Sequence, residues 1–314
     1  VCGVSSFGYS GTIAHAVVQQ EATKPGKPTT HAFTTLPTPT PSYRRRAFAW
    51  QLPPHPLAQR LPPASAPGDA IVRSAAAGAL RSLVADHVVQ GRVIFPGTGY
   101  LEMARASASA LAAGAAAQLP HALHGVYFLL PLAVETSQLL VECAVSEDGR
   151  FEVRSLVGEG VEDALVSVHC AGSLRALVSE QTADLARARG RSCTVAVHLV
   201  ALYDGFGAVG LQYGPQYRTL ADAWGGAGQS LAQLRARATQ GGTLVHPADL
   251  DDALCVGAAA RDTGGGGGGG SAADGETRLP FAIDDARLEG AQGELWAVRV
   301  LPLCPILALL PPQP

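Results

Sequence analysis

Hydrophobic residues recur with two different periods between about residue 55 and residue 177. Between Gly99 and Ala117, leucine, methionine and alanine recur at near-helical spacing, directly after a proline and a Gly-Thr pair suited to a helix start. Four strand-like runs rich in Val, Leu and Phe follow, at residues 125–130, 138–145, 150–157 and 164–174. A helix followed by a meander predicts an α+β fold, in which an antiparallel sheet wraps a buried central helix.

The second half of the chain repeats this scheme more loosely. Residues 195–203 and 247–260 have helix-like patterns, and strand-like patterns occupy residues 230–238, 279–288 and 295–301. The sequence therefore predicts two similar halves, at residues 53–178 and 190–314.

Two segments of the second half fit neither pattern. Seven consecutive glycines at residues 264–270 predict a flexible surface insertion. Residues 301–314 are apolar but hold five prolines, so we expect a poor strand and no helix there. The second half is therefore expected to be truncated.

The first 52 residues differ in composition from the rest of the chain. Residues 1–22 are punctuated by Gly and Ser, and residues 23–52 are rich in Pro and Thr. A Pro/Thr-rich segment cannot bury a core, so residues 23–52 are predicted to be a linker.

Composition excludes several classes of function. A chain of 314 residues with 47% apolar residues can form one large or two small globular domains. Its net charge of −3 and its single short basic run, residues 44–46, give no reason to expect nucleic acid as a partner. No apolar stretch reaches the roughly 18 residues of a membrane span, and no signal peptide is recognisable, so we expect a cytosolic chain without membrane contact. The six cysteines are scattered without zinc-site spacing, which predicts free thiols and no metal site.

One histidine stands out as a candidate for catalysis. His87 lies in an apolar run, with Gly91 and Pro96 following just before the predicted helix. An imidazole titrates near neutral pH and is the usual general base, and a glycine lets a substrate approach a backbone N–H. A lone histidine in an apolar segment is more often a hydrogen-bonded core residue. The surrounding pattern favours a catalytic site over that alternative.

That surrounding pattern resembles a known family. The order H-x-x-x-G-x-x-x-x-P, which begins at His87, followed by Gly-Thr-Gly-Tyr-Leu-Glu, resembles the first-half signature of dehydratase domains in modular polyketide synthases. Residues 55–57 (His-Pro-Leu) and 124–132 resemble two further segments of these domains. The resemblance implies a double-hotdog fold, with two antiparallel sheets each wrapped on a central helix.

Three segments of the second half resemble the same family. Residues 213–217 (Tyr-Gly-Pro-Gln-Tyr) are similar to its Tyr-Gly-Pro-x-Phe motif, with Tyr217 in place of Phe. Residues 246–254 resemble the motif H-P-x-x-L-D-x-x-x-Q, whose aspartate is catalytic, and residues 279–284 resemble a Leu-Pro-Phe-x-Ile-Asp strand. The resemblance spans about residues 55–300.

The resemblance implies a pair of catalytic residues. It places the base at His87 and the acid at Asp251, rather than at Asp249 or Asp252, for which helix-start charges favoured by the dipole are the preferred interpretation. Burial in an apolar tunnel would raise the pKa of the acid.

Further residues are implied to line the substrate pocket. The N–H of Gly91 and the helix start after Pro96 are candidate donors to the thioester oxygen. Tyr213 and Pro215 are expected to shape the pocket, with a simple turn as an equal alternative, and Gly214 between them is expected to bind substrate. Cys255 stands where the family usually has Gln or His bonded to its aspartate, and a thiol is a weak donor and acceptor, which weakens the expected positioning of the acid.

The implied reaction is loss of water from a 3-hydroxyacyl thioester, which leaves a 2-enoyl thioester during polyketide chain extension. The substrate would be carried on the phosphopantetheine of an acyl carrier protein, and no other cofactor is expected. The resemblance also implies a homodimer and neighbouring synthase domains, including a ketosynthase.

The N-terminal segment carries a separate resemblance. Residues 3–15 are similar to a segment near the end of ketosynthase domains, with Ile13 in place of Asn. Residues 1–22 are therefore interpreted as a ketosynthase remnant without condensing activity. Residues 43–50 resemble the basic-aromatic linker that packs on a ketosynthase, with a solvated charge run as the alternative. This order leaves no room for an acyltransferase between the two domains.

Three functions stay open from the sequence alone. The first is an active dehydratase. The second is a double-bond isomerase or cyclase on the same fold, which the presence of Asp251 argues against. The third is a catalytically silent structural module, which Cys255 and the proline-rich end favour.

Overall fold

The computed structural model describes residues 2–7, 13–18, 55–59, 70–111, 121–136, 138–157, 165–176, 185–226, 228–259, 280–288, 295–300 and 308–310. The chain divides into two compact units, Val1–Trp50 and Gln51–Pro314. In the first unit, β1 (Cys2–Phe7) and β2 (Ile13–Val18) form an antiparallel hairpin. The predicted linker at residues 23–52 and the glycine run lie outside the described residues.

A six-stranded antiparallel sheet and helix α2 (Gly97–Leu111) form the first half of the second unit. The sheet order is β14-β6-β9-β8-β7-β3. Side chains on β8 alternate between buried and exposed, as expected for a sheet with one face on a core. Met103 and Ala104 of α2 are fully buried in that core, and helix α1 (Gly78–Val84) packs against it. The strands are β3 (Ala70–Ala75), β6 (His121–Phe128), β7 (Leu140–Val145), β8 (Arg150–Val157), β9 (Leu165–Ala176) and β14 (Ala282–Arg287).

A five-stranded antiparallel sheet and helix α5 (Pro247–Cys255) form the second half. The sheet order is β10-β12-β13-β15-β16. Ala248 and Ala253 of α5 are buried against the inner face of this sheet. The strands are β10 (Val195–Ala196), β12 (Leu220–Gly226), β13 (Gln229–Leu234), β15 (Leu295–Val300) and β16 (Ala308–Leu310). The other helical segments are α3 (Leu185–Arg187), a π-helical turn (Ala188–Ser192), α4 (Leu199–Ala208) and a 3-10 turn (Val256–Ala259). Two sheets, each with a central helix, confirm the predicted α+β architecture.

A small third sheet joins the two halves. Strand β4 (His87–Val89) pairs with β5 (Arg92–Val93) on one side and with β11 (Leu211–Tyr213) of the second half on the other. The two central helices also meet, because Thr98 Oγ1 donates a hydrogen bond to the Pro247 carbonyl at 2.9 Å. The first residues of α2 and α5 are therefore held together.

The structure corrects two details of the sequence interpretation, the start of the helix within residues 195–203 and the sheet to which β14 belongs. The segment 195–203 is a short strand followed by a helix that begins only at Leu199. Strand β14, expected in the second half, pairs with β6 at the edge of the first sheet. The tail contains the three-residue strand β16, which pairs with β15 between flanking prolines. Helix α2 is described only as far as Leu111. No helix in the described segments is long and apolar enough to cross a membrane.

A buried carboxylate ties the start of the unit to both central helices. Glu102 of α2 is fully buried, and its oxygens accept hydrogen bonds from His55 Nε2 at 3.1 Å and Arg105 Nη2 at 2.7 Å. It also accepts the N–H of Leu244 at 2.7 Å, just before α5. Burial raises the pKa of Glu102, but these hydrogen bonds outweigh it and lower the pKa overall. His55 is oriented for this role, because its Nδ1 accepts the N–H of Leu57.

Replacing Glu102 by Ala should destabilise the fold strongly. The substitution leaves the Arg105 charge and a buried N–H without their partner, and breaking such a buried pair costs about 3–5 kcal/mol of unfolding free energy. Because the pKa of Glu102 is lowered, its stabilisation is present above the unfolded-state pKa and is lost as pH falls through the folded-state pKa. Urea denaturation followed by circular dichroism measures both effects.

The matched control is Glu152→Ala, since Glu152 is exposed on β8. If Glu102→Ala lowers the unfolding free energy by no more than about 1 kcal/mol, the range of a surface ion pair, the structural role of Glu102 is contradicted.

Candidate active site

His87 is buried at the start of β4, and one of its ring nitrogens makes a hydrogen bond to the backbone. Its side chain is 5% exposed, and its Nδ1 lies 2.7 Å from the Ile94 carbonyl oxygen. A carbonyl only accepts, so Nδ1 carries the hydrogen and, in the neutral ring, Nε2 holds the lone pair. That Nε2 lies 3.7 Å from Oδ2 of Asp251. The structure thus brings together the two residues that the sequence singled out.

Asp251 lies on the second turn of α5 in a dry environment. It is 8% exposed, and its Oδ2 has no hydrogen-bond partner among the described residues. Burial raises the pKa of Asp251 above its ordinary value, while the nearby His87 charge and the Tyr213 hydroxyl act in the opposite direction. The carboxyl group is therefore biased toward its protonated form.

Helix α5 begins at a histidine cap. His246 Nδ1 accepts the N–H of Ala248 at 3.2 Å, and Pro247 occupies the first helical position, where a missing N–H costs nothing. Burial, with the Arg237 charge, lowers the pKa of His246 to about 3, so the ring stays neutral and can accept this bond. His246 therefore has a structural role at the start of the helix.

Two tyrosine rings flank the base. The His87 ring centroid lies 5.6 Å from that of Tyr213 and 5.3 Å from that of Tyr217. The Tyr213 hydroxyl lies 3.5 Å from Sγ of Cys255. Burial, followed by the neighbouring Asp251 and Cys255, raises the pKa of Tyr213, so its hydroxyl stays protonated. Of the pocket residues expected from the sequence, Tyr213 and Cys255 therefore lie beside the acid.

Gly214 and Pro215 form a turn next to the base. The Gly214 N–H donates to the Asp86 carbonyl at 2.8 Å, and a methyl group on Gly214 would overlap the Asp86 carboxyl group. Pro215 is exposed and begins a single 3-10 turn that ends at Tyr217. Gly214 and Pro215 thus belong to a turn that contacts the residue before His87.

The expectation that the Gly91 N–H binds a thioester oxygen is not supported. Gly91 is exposed in the β4–β5 turn with φ of +76°, a backbone conformation that suits glycine. Its N–H donates to Oε1 of Gln212 at 2.9 Å. Pro96 is buried directly before α2, so the start of that helix remains the other candidate donor.

Asp249 and Asp252 are buried anchors. Asp249 lies in the first turn of α5, as expected for a helix-start charge, whereas Asp252 lies in the second turn, which corrects its interpretation. Asp249 Oδ1 pairs with Arg237 Nε at 2.7 Å. Asp252 Oδ2 accepts hydrogen bonds from the Tyr203 hydroxyl at 2.7 Å and from the Leu220 N–H at 3.0 Å. The sequence pattern missed these roles because Tyr203 and Leu220 lie on α4 and β12, and Arg237 lies in the irregular segment after β13.

The sequence also predicted free thiols and no metal site. Cys143, Cys170 and Cys193 are buried free thiols. Within the described part of the chain, no group of three or more His, Cys, Asp or Glu side chains is arranged to hold a metal ion.

Two family models match the chain. One described as "Polyketide synthase dehydratase domain" matches residues 55–156, and one described as "Polyketide synthase dehydratase N-terminal domain" matches residues 181–302. Together they match well over half of the chain. The chain belongs to the polyketide synthase dehydratase family.

Curated relatives of this dehydratase are much longer proteins. Polyketide synthase ThaG of Burkholderia thailandensis is 33% identical over 54% of this chain and 3% of its own length. Polyketide synthase PksN of Bacillus subtilis is 27% identical over 68% of this chain and 4% of its own length. The dehydratase chain therefore spans only a few per cent of these relatives.

Solved structures share the fold. The dehydratase domain from the CurF module of curacin polyketide synthase has a TM-score of 0.65 and 20% identity, and covers 79% of this chain and 89% of that chain. The CurK dehydratase has a TM-score of 0.64 and 22% identity, and covers 79% of this chain and 87% of that chain. Two further CurK structures are titled inactive mutants, one with a His replaced by Phe and one with an Asp replaced by Asn. These likenesses confirm the double-hotdog fold.

The structure accounts for one departure of this dehydratase from the expected motifs. Tyr217, in place of Phe, is 1% exposed, and its hydroxyl donates to the Leu83 carbonyl at the end of α1, at 3.4 Å. The extra hydroxyl is thus satisfied without entering the space between His87 and Asp251.

Replacing Gly214 by Ala should destabilise the junction between the halves. The new methyl group would overlap the Asp86 carboxyl group, and accommodating such overpacking costs about 1–3 kcal/mol of unfolding free energy. Gly207→Ala is the control, because a methyl there meets nothing within 4 Å and α4 should be unchanged or stabilised, by up to about 1 kcal/mol. Urea denaturation compares the two, and equal stabilities would show that the close approach is not needed.

Proposed function

We propose that this domain removes water from a 3-hydroxyacyl thioester and leaves a 2-enoyl thioester. The observation that carries the proposal is the buried pair of His87 Nε2 and Asp251 Oδ2, 3.7 Å apart. One partner offers a lone pair and the other is biased toward its acid form, which are the two functions that dehydration needs.

The proposed reaction divides the two proton transfers between these residues. Nε2 of His87 removes the hydrogen at C2 of the thioester, and the electron pair of that C–H bond forms the C2=C3 bond. The C3–O bond breaks, and Asp251 donates its proton to the departing hydroxyl, which leaves as water. The imidazolium and carboxylate then exchange one proton, which restores both residues.

The short distance between His87 and Asp251 favours removal of the C2 hydrogen and the C3 hydroxyl from the same face of the substrate. Atoms 3.7 Å apart can reach the C2 hydrogen and the C3 hydroxyl most easily when both lie on the same face of the substrate. Elimination across opposite faces would need a base and an acid on two sides of the acyl chain. We therefore infer a syn elimination.

The thioester oxygen needs a donor as negative charge develops. The start of α2, directly after Pro96, is proposed for this role, since the Gly91 N–H is engaged by Gln212. The first N–H groups of a helix point outward and carry partial positive charge.

Two structures of a similar dehydratase support the choice of residues. The CurK mutants titled inactive lack a His and an Asp, the residue types of the pair described here. We propose that the substrate arrives on the phosphopantetheine of an acyl carrier protein, that the domain works as a homodimer beside other synthase domains, and that no resident cofactor takes part.

Substituting either member of the pair should abolish dehydration. His87→Ala removes the base and Asp251→Asn removes the acid proton, and each loss should cost about 10²–10⁴-fold in rate. Mass spectrometry of a 3-hydroxyacyl-pantetheine thioester incubated with each protein detects the loss of water, after circular dichroism has shown that the variants are folded. A folded wild-type protein that leaves the substrate intact would favour the silent or isomerising alternative.

The rate should fall on the alkaline side as Asp251 loses its proton. Because burial raises the pKa of Asp251, the donating acid persists to higher pH than an ordinary carboxyl group allows. Initial rates against pH, corrected for hydrolysis without enzyme, measure this decline. A rate that keeps rising through the alkaline range would rule out a neutral carboxyl group as the donor.

A further inference from the structure

We propose that Asp86 is a positioning residue that fixes the distance between the base and the acid. The inference rests on the proposed dehydration, in which His87 and Asp251 act together. Asp86 directly precedes His87, is partly buried and does not contact the reacting atoms in the proposed reaction. Its contacts all run to the turn that follows Tyr213.

Two N–H groups of one turn converge on Asp86. Its carbonyl accepts the N–H of Gly214 at 2.8 Å, and its Oδ2 accepts the N–H of Gln216 at 2.7 Å. A hydrogen bond to an ionised carboxylate is about twice as strong as a neutral one. The absence of a side chain on Gly214 lets the carboxyl group lie against the turn.

The same turn is connected to the helix that carries the acid. The Gln216 carbonyl accepts a hydrogen bond from Arg237 Nη2 at 2.9 Å, and Arg237 Nε donates to Asp249 of α5 at 2.7 Å. Asp249 lies two residues before Asp251. A continuous series of charge-assisted hydrogen bonds therefore runs from the residue before the base to the helix of the acid.

The strands that this series braces are short. β4 and β11 have three residues each, and His87 faces Tyr213 at the last pair of the ladder. Without Asp86 that end is held by few bonds, and the Tyr213 and Tyr217 rings can shift against the imidazole. A misplacement of about 1 Å can cost about 100-fold in rate.

Three substitutions of Asp86 distinguish its positioning role from an effect of its charge and from an effect on folding. Asp86→Asn keeps an acceptor oxygen in place without the charge, whereas Asp86→Glu keeps the charge and moves the oxygen. Asp86→Ala removes both. Asp148→Ala is the control, because Asp148 also accepts a backbone N–H, from Arg150, but in the exposed β7–β8 turn.

The readouts are kcat and KM for a 3-hydroxyacyl-pantetheine thioester, and the ¹⁵N resonances of the His87 ring, assigned by comparison with His87→Ala. We expect the Glu and Ala variants to lose about 10- to 100-fold in kcat with KM little changed. Their His87 resonances should shift. The Asn variant should keep most of the rate and the native resonances, and the control should match the wild type.

Wild-type kcat in the Glu variant, or equal losses in the Asn and Glu variants, would overturn the proposal. If the Ala variant does not fold, the Asn and Glu pair decides alone. If the wild-type protein dehydrates nothing, the proposed function fails, and the ring resonances still test the positioning. In that case, unchanged His87 resonances in the Glu variant would overturn the positioning role of Asp86.

Discussion

The pairing of β4 with β11 is the constraint on which the site depends. It sets His87 of the first half opposite Tyr213 of the second, and the Thr98–Pro247 hydrogen bond sets the first residue of α5 beside α2. Neither half contains both members of the proposed catalytic pair. The proposed chemistry therefore requires the two halves to associate correctly. A substitution that breaks the contacts between them would separate the proposed base from the proposed acid even if each sheet stayed folded.

Burial alone does not decide what a carboxyl group on α5 does. Three aspartates on this helix are buried to a similar extent, but their partners differ. Asp249 is paired with Arg237, and Asp252 accepts several hydrogen bonds at one oxygen. These bonds oppose the burial that raises the pKa of Asp252 to about 6. Each of the three has one buried carboxylate oxygen without a hydrogen-bond partner in the described structure. Among the described residues, Asp251 pairs with no arginine and has no such set of donors, and its partners are His87 and Tyr213. The set of partners, rather than the depth of burial, distinguishes the proposed acid from its two neighbours on α5.

The sequence predicted the long elements better than the junction. β8 has the predicted bounds because its eight residues alternate clearly, whereas β4, β5 and β11 have two or three residues and carry no readable period. Motif resemblance found both His87 and Asp251, but their contact depends on pairings across more than a hundred residues. The hydrogen bond from the Gly91 N–H could not be predicted for the same reason, because its acceptor, Gln212, lies on a strand of the other half.

Cys255 is the departure that bears most directly on activity. Its sulfur lies 3.5 Å from the Tyr213 hydroxyl, a weak contact compared with the amide or imidazole that the family motif has at this position. The acid is thus held mainly through its helix, which is fixed by the His246 cap, the Thr98 contact and the Arg237–Asp249 pair. Positioning of Asp251 through the backbone of α5 can replace positioning through a side-chain hydrogen bond, because a capped and anchored helix leaves its second turn little freedom. The Cys255 thiol therefore weakens the positioning of Asp251 without abolishing it, and His87 and Asp251 keep the geometry that the proposed dehydration needs.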